Sequence, residues 1–225
     1  MRYRTLAGED VSVLGFGCMR FPTNEEGKID RDKSSAMIEK AIESGVNYFD
    51  TAYVYHNGES ESFLGDVLSG GLREKVKIAT KLPTWEVKSE ADFDRLLNEQ
   101  LKKLKTDHID FYLLHALDNN RFENIVKKFN LLEHMNRAKA DGRIRHIGFS
   151  FHDDVNAFKK IVDSNPNWEF CQILHNYVYI PYQVGVEGLE YPDSMGLGVI
   201  ITEPRLAGKL AEPVDSVKKV LDSSK

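Results

Sequence analysis

Four side chains in this sequence could do proton chemistry together. Asp50 closes the short apolar run "VNYFD", directly after Tyr48 and Phe49. Tyr55 follows five residues later in "TAYVYHNGESE". Lys81 ends the run "VKIATK", and His115 ends "IDFYLLH". A tyrosine ionises near pH 10 and is a poor proton donor at neutral pH. A neighbouring ammonium stabilises the phenolate and is expected to lower that value. A carboxylate beside the ammonium keeps it charged and in place. An imidazole can hydrogen-bond a substrate oxygen and orient a carbonyl. Gathered at one point, Asp50, Tyr55, Lys81 and His115 form a general acid beside an oxyanion site. That set is suited to reducing a carbonyl with an external hydride donor.

Each residue also has a plain reading. Asp50 before Thr51 could cap a helix, and Lys81 before Leu82-Pro83 could be a solvated loop lysine. His115 could be a satisfied, half-buried histidine, and Tyr55 a surface aromatic. The joint reading gains its force only if the fold delivers all four to one place.

The elements that must do so alternate strictly. Strand-like runs occur at Val11–Gly17, Val46–Asp50, Val76–Lys81, Ile109–His115, Ile144–Ser150, Glu169–Leu174 and Gly198–Glu203. Helical patterns lie between them: Asp32–Gly45, Glu59–Leu68, Ser89–Lys105, Asn124–Asp141, Asp154–Asp163, and one from about Pro181 that Pro192 should end or kink. In Ser89–Lys105, Phe93, Leu96, Leu97, Leu101 and Leu104 form one apolar stripe, with Ser89 a candidate N-cap. A weak helix closes the chain around Val214–Leu221. The start could form a hairpin turning at Gly8-Glu9-Asp10. Strict β/α alternation implies a parallel sheet with helices outside it. Seven units with no sign of a second half favour a (β/α)₈ TIM barrel over a doubly wound sheet, and "GFGCMR" also lacks the third glycine of a dinucleotide turn. In such a barrel the strand C-termini carry the chemistry. Those ends are Gly17, Asp50, Lys81, His115, Ser150, Gln172–Leu174 and Thr202–Glu203.

Composition excludes several classes. The 225 residues carry 41% hydrophobic and 29% charged side chains, ordinary for a soluble domain. A net charge of −5 provides no broad attraction for nucleic acid. No apolar run approaches the roughly 20 residues of a membrane span, and the N-terminus does not read as a signal peptide. Two lone cysteines, Cys18 and Cys171, suit a reducing compartment, so a cytoplasmic location is expected. No spacing suggests a metal or an iron–sulfur cluster.

The tetrad and its surroundings resemble the aldo-keto reductases. "NYFDTAYVY", "GESESFLG", "ATKLP", "HIDFYLLH" and "GRIRHIGFS" match in order and spacing, and the resemblance runs from about Leu14 to Leu210. It implies a TIM barrel that transfers hydride from NADPH, or sometimes NADH, to a small-molecule aldehyde or ketone without a metal. By that resemblance Tyr55 is the acid, Lys81 tunes it, Asp50 anchors Lys81, and His115 positions the carbonyl. Tyr53 is left to pack or to line the pocket. Ser150 and Gln172 would hold the nicotinamide carboxamide, while the family's asparagine after that serine has no counterpart in Ser150-Phe151-His152. Gly17, Met19 and Arg20 would lie under the nicotinamide end. "TEPRLAGKL" resembles a pyrophosphate-side loop in a bacterial and archaeal branch whose longer members add an iron–sulfur domain. There Glu203, Pro204, Leu206, Gly208 and Lys209 would border the cofactor, although Arg205 and Leu206 stand in swapped order.

The resemblance also implies an eighth strand and helix, which these residues do not supply. Residues 1–225 therefore read as a single, incomplete barrel domain, with strands one and seven as open edges that invite self-association. The tail "AEPVDSVKKVLDSSK" offers lysines but no arginines for a 2′-phosphate. Two other functions stay open. One is a weakly active or inactive barrel that binds a nucleotide or a partner. The other is a lyase using Lys81 as a Schiff base, which a charged lysine beside Asp50 disfavours.

Overall fold

The chain begins with a hairpin that closes one end of a parallel sheet. In the computed structural model, described over residues 1–178, 180, 183–208, 210 and 215–223, β1 (Tyr3–Leu6) pairs antiparallel with β2 (Glu9–Ser12). Leu6 stands opposite Glu9, so the turn is Ala7-Gly8, one position earlier than the sequence suggests. Both turn residues have left-handed φ, 51° and 85°. A two-residue hairpin turn needs that conformation, and glycine adopts it at no steric cost.

The run Val11–Gly17 is not one strand. Val11 and Ser12 belong to the hairpin, and only Phe16–Gly17 forms the first barrel strand, β3. Asn47 explains the break. Its Oδ1 accepts from Ser12 N at 2.7 Å, its backbone N–H donates to Ser12 Oγ at 3.1 Å, and its Nδ2 donates to the Asp10 carbonyl at 2.9 Å. These bonds hold the hairpin end against the start of the next strand.

From there strands and helices alternate: α1 (Arg31–Glu43), β4 (Tyr48–Asp50), α2 (Ser60–Leu68), β5 (Lys77–Leu82), α3 (Ala91–Leu104), β6 (Ile109–Leu117), α4 (Asn119–Arg121), α5 (Leu131–Ala140), β7 (Ile144–Phe151), α6 (Val155–Asp163), β8 (Phe170–Leu174), α7 (Glu187–Ser194), β9 (Gly198–Thr202) and α8 (Asp215–Ser223). The seven strands β3 to β9 pair in sequence order, each parallel to the next. Among the described residues β3 and β9 do not pair with each other. The architecture is a TIM-type barrel sheet of seven β/α units, open between its first and last strands.

Strand pleating sorts residues into two cores. Phe49, Ile78, Tyr112, Leu114, Ile147 and Phe149 face outward and pack with α1, α2, α3, α5 and α6. Tyr48, Ala79, Phe111, Leu113 and Phe170 face inward, where Leu6 and Val11 of the hairpin join them. This inner layer fills the barrel floor. With a period of two along each strand, the next inward positions are Asp50, Lys81 and His115, one layer above the floor.

Some local expectations change. Helix α3 buries Phe93, Leu96, Leu97 and Leu104 as expected, but also the polar Gln100. Ser89 does not cap it; instead the Asp92 carboxylate accepts from the Lys88 and Ser89 N–H groups. The Asn124–Asp141 helix is interrupted by a π-helical turn, Phe122–Lys127, and by left-handed Asn130. Pro192 sits inside α7, which ends two residues later at Ser194. Pro181 and Val214 lie outside the described residues. No described helix is long and apolar enough to cross a membrane.

Candidate active site

The inward layer brings three of the four expected side chains together directly from strands. Asp50 ends β4, Lys81 lies one residue from the end of β5, and His115 lies on β6. Tyr55 arrives from the turn after β4.

Lys81 is the hub. Its side chain is only 2% exposed, and its ammonium reaches Asp50 Oδ1 at 2.8 Å, Asp50 Oδ2 at 2.9 Å, the Thr51 carbonyl at 2.8 Å and Tyr55 Oη at 3.4 Å. Its three protons are thereby shared among a carboxylate, a carbonyl and a phenol. Burial works against the charge, but Asp50 and Tyr55 outweigh it and hold Lys81 above the ordinary lysine range. An amine held protonated in this way is a poor Schiff-base nucleophile. Gln172 Nε2 donates to Asp50 Oδ2 at 2.9 Å and fixes the carboxylate from the opposite side.

Lysine has no acceptor, so in the Lys81–Tyr55 contact the phenol oxygen must accept. Its own proton is left to donate elsewhere. The expectation that Lys81 pulls the phenol below its usual ionisation is not met. Burial pushes Tyr55 up, Lys81 pulls it down, Asp50 adds to the rise, and the net direction is up. Tyr55 therefore stays protonated across the neutral range, the form that a proton donor needs.

The turn carrying Tyr55 is unusual. His56, Asn57 and Gly58 all have left-handed φ, 51°, 55° and 89°. For the two non-glycines this costs roughly 1–2 kcal/mol each. His56 Nε2 accepts the Phe21 N–H at 2.9 Å, tying the turn to the segment after β3. That segment is also held at Cys18, whose N–H donates to the Asp50 carbonyl at 2.7 Å and whose carbonyl accepts from Ser60 Oγ at 2.9 Å.

His115 faces Tyr55 edge-on, ring centroids 6.3 Å apart, and contacts Trp85 at 5.1 Å. Burial first, then Lys81, His152 and Arg121, push its ionisation down to about 3. It is a neutral imidazole at any working pH. Its Nδ1 is buried with no hydrogen-bond partner among the described residues. The strand continues past it through a left-handed Ala116 (φ 51°), where the β6–β7 register shifts. That bulge re-aims the strand end beside the site.

Ser150 and Gln172 stand opposite each other on β7 and β8, both almost fully buried. Ser150 Oγ accepts the Ala116 N–H at 2.7 Å, which leaves its proton to donate. Gln172 uses its amide nitrogen on Asp50, which leaves its carbonyl oxygen to accept. One donor beside one acceptor is the complement of a primary carboxamide. Gly17 ends β3 with open space where a side chain would begin, and Met19 and Arg20 are exposed next to it. The residues present therefore fit a nicotinamide. Glu203, Pro204 and Gly208 are exposed on a turn after β9, with Glu203, Leu206 and Gly208 in left-handed conformations. That turn is closed by Leu206 N–H to the Glu203 carbonyl at 2.9 Å and Gly208 N–H to the Arg205 carbonyl at 3.0 Å. Among the described residues, Glu203, Pro204, Leu206 and Gly208 make no hydrogen bond to the tetrad, and Lys209 lies outside the described residues.

A family model described as the aldo/keto reductase family matches residues 13–218. The chain belongs to this family. An uncharacterised oxidoreductase of Bacillus subtilis is 33% identical over 163 residues, covering 67% of this chain and 49% of that protein. The methylglyoxal reductase YeaE of Escherichia coli is 30% identical over 184 residues, 81% of this chain and 59% of its own length. The chain thus spans about half the length of the curated relatives it matches. An aldo-keto reductase from Klebsiella pneumoniae, solved in complex with NADPH, superposes with a TM-score of 0.75 at 24% identity, covering 94% of this chain and 72% of that one.

Around this site, sequence reasoning missed several participants. Trp85 walls His115 and lies under the Arg121 guanidinium at 5.6 Å. A buried polar group stands behind Lys81. Glu61 Oε1 accepts from Thr80 Oγ1 and Gln100 Nε2, both at 2.6 Å, and Gln100 also donates to the Lys81 carbonyl at 3.0 Å. A glutamine on the apolar stripe of α3 was the available signal. Tyr53 points away from the site: its hydroxyl donates to Glu99 at 3.0 Å and its ring lies under Lys103 at 3.8 Å. Cys18 is fully buried near Asp50 and Lys81, and burial holds its thiol protonated.

Proposed function

We propose that this chain is a reductase of aldehyde or ketone carbonyls that uses NADPH, with NADH as the alternative donor. Ser150 and Gln172 would hold the nicotinamide carboxamide, and Gly17, Met19 and Arg20 would border its ring. Glu203, Pro204, Leu206, Gly208 and Lys209 would flank the pyrophosphate, in keeping with the loop's likeness to the bacterial and archaeal branch. The bound cofactor supplies the hydride. The chain's own residues do the rest. His115, neutral and with an unsatisfied buried nitrogen, orients the carbonyl oxygen. Tyr55 gives that oxygen its proton as negative charge develops there. Lys81 donates to the phenol oxygen and stabilises the phenolate that forms, while Asp50 and Gln172 keep Lys81 charged and in place.

The observation that carries this reading is the Lys81–Tyr55 contact. A donor-only ammonium on the phenol oxygen leaves one transferable proton beside a neutral imidazole. The test is consumption of NADPH with a small aldehyde panel that includes methylglyoxal, a name taken from the Escherichia coli relative. No consumption above the Tyr55→Phe variant would reject the reading.

One observation favours a second reading, that of a weakly active barrel binding a nucleotide or partner. Every residue of the edge strand β9 is at least partly exposed, including Ile201 at 42%. Such an edge can pair with a second copy. Sedimentation across a concentration series separates the two: the reductase reading needs no association for turnover.

A further inference from the structure

We propose that His56 is a positioning residue for Tyr55: by accepting the Phe21 N–H it ties the turn carrying the phenol to the segment after β3, and protonation of its ring releases that tie. The inference rests on the reading of Tyr55 as the proton donor.

The geometry fixes the chemistry of the ring. Phe21 N–H points at His56 Nε2 at 2.9 Å, so Nε2 must be the unprotonated nitrogen and Nδ1 must carry the hydrogen. Phe21 also packs on the ring face, with centroids 5.6 Å apart. A backbone N–H cannot find an acceptor in an imidazolium, which only donates. Protonation therefore converts an attraction into an N–H facing an N–H.

The tie matters because of where it sits. His56 and Asn57 are non-glycine residues in left-handed conformations, immediately after Tyr55 and followed by left-handed Gly58. A backbone held in sparsely populated wells persists only where its surroundings determine it. The His56–Phe21 bond is a contact from outside the turn that does so. Its other end lies in the segment Cys18–Phe21, which Asp50 and Ser60 hold at Cys18. The same segment carries Met19 and Arg20, next to the proposed nicotinamide position. One hydrogen bond thus couples the proton donor's turn to the cofactor side of the site.

The charged groups around the ring are few. Burial leaves the ring below the ordinary histidine value, and Glu59, next to the same turn, works against it. Lys28, Asp30, Arg31 and Asp32 lie across the cleft that borders Asn57 to Glu59. Phe21, the partner from the segment after β3, does not titrate. His115 ionises only at about 3, so it cannot account for a loss of activity at milder acid pH. His152 also lies low, through burial first, and is the group that must be told apart from His56.

Two variants and one spectroscopic measurement test the proposal. His56→Gln keeps an acceptor for the Phe21 N–H and cannot titrate. It should retain turnover within about threefold of wild type and lose the acid limb of the kcat profile that lies below the ordinary histidine value of about 6.5. His56→Leu has no acceptor and should lower kcat by about 10- to 100-fold, the range expected for a misplaced reacting group, with KM for the aldehyde changing less. The third measurement needs no activity. In an NMR pH titration of the wild-type chain, the Phe21 amide should shift and lose exchange protection with the same midpoint as the His56 ring. An acid limb that persists unchanged in His56→Gln overturns the proposal and hands the limb to His152. Wild-type turnover in His56→Leu overturns it too, as does a Phe21 amide indifferent to His56 protonation. If no carbonyl is reduced by any form, the reductase reading fails, and the amide titration still decides the His56–Phe21 coupling.

Discussion

Replacing Lys81 by Met should show how much the charged hub contributes to both folding and turnover. The substitution keeps the length of the stem and removes a donor that reaches Asp50, the Thr51 carbonyl and Tyr55. Asp50 then keeps its charge at 16% side-chain exposure with Gln172 Nε2 as its remaining side-chain partner. Breaking a buried ion pair from one side costs about 3–5 kcal/mol. Partial exposure and the Gln172 bond place this case near the lower end, about 3 kcal/mol. For a chain of this size that corresponds to a fall in melting temperature of roughly 6–12 °C. Turnover should fall by at least the factor of about 10²–10⁴ typical of general acid catalysis, because the phenolate loses its ammonium. Asp50→Asn should be milder on turnover, since Lys81 keeps Thr51 and Tyr55. Urea denaturation paired with NADPH consumption measures both quantities. A Lys81→Met protein within about 1 kcal/mol of wild type, with turnover retained, would refute the hub.

Further outcomes follow from the same geometry. Tyr55→Phe should abolish carbonyl reduction while leaving NADPH binding by fluorescence titration nearly unchanged; more than half the wild-type turnover would remove Tyr55 from the acid role. Because burial raises the phenol's ionisation, activity should persist with rising pH until Tyr55 deprotonates, at or above the ordinary value of about 10; a basic limb near neutrality would contradict the burial seen here. Burial alone would raise Glu169, but hydrogen bonds from His146, Lys139 and the Ile147 N–H together outweigh it and hold the carboxyl down to about 2. A depressed folded value means stability that is full above the unfolded value of about 4.5 and is lost as pH falls toward 2, so Glu169→Gln should flatten acid unfolding in that window.

Much of this was legible in the sequence because β/α barrels translate pattern into position. The β-type runs ending at Asp50, Lys81 and His115 each have period-two pleating, so the three residues share the inward face one position beyond Tyr48, Ala79 and Leu113. Other features were not legible, for physical reasons. The split of Val11–Gly17 depends on Asn47, a partner 35 residues from Ser12. The β6 bulge at Ala116 and the π-helical turn at Phe122–Lys127 leave no mark in hydrophobic periodicity. The direction of the Tyr55 shift was missed because the sequence shows the lysine but not the burial, and burial is the larger effect. His56 carried no signal either, since an imidazole serving as a backbone acceptor looks like any histidine in a glycine-containing turn.

The most direct measurement is transfer of deuterium from the reduced nicotinamide of labelled NADPH to a small aldehyde, in wild type and in Tyr55→Phe. The account predicts an alcohol carrying deuterium at the former carbonyl carbon with wild type, and a loss of at least about 100-fold with the variant. Unlabelled alcohol, or equal label from both proteins, would contradict it.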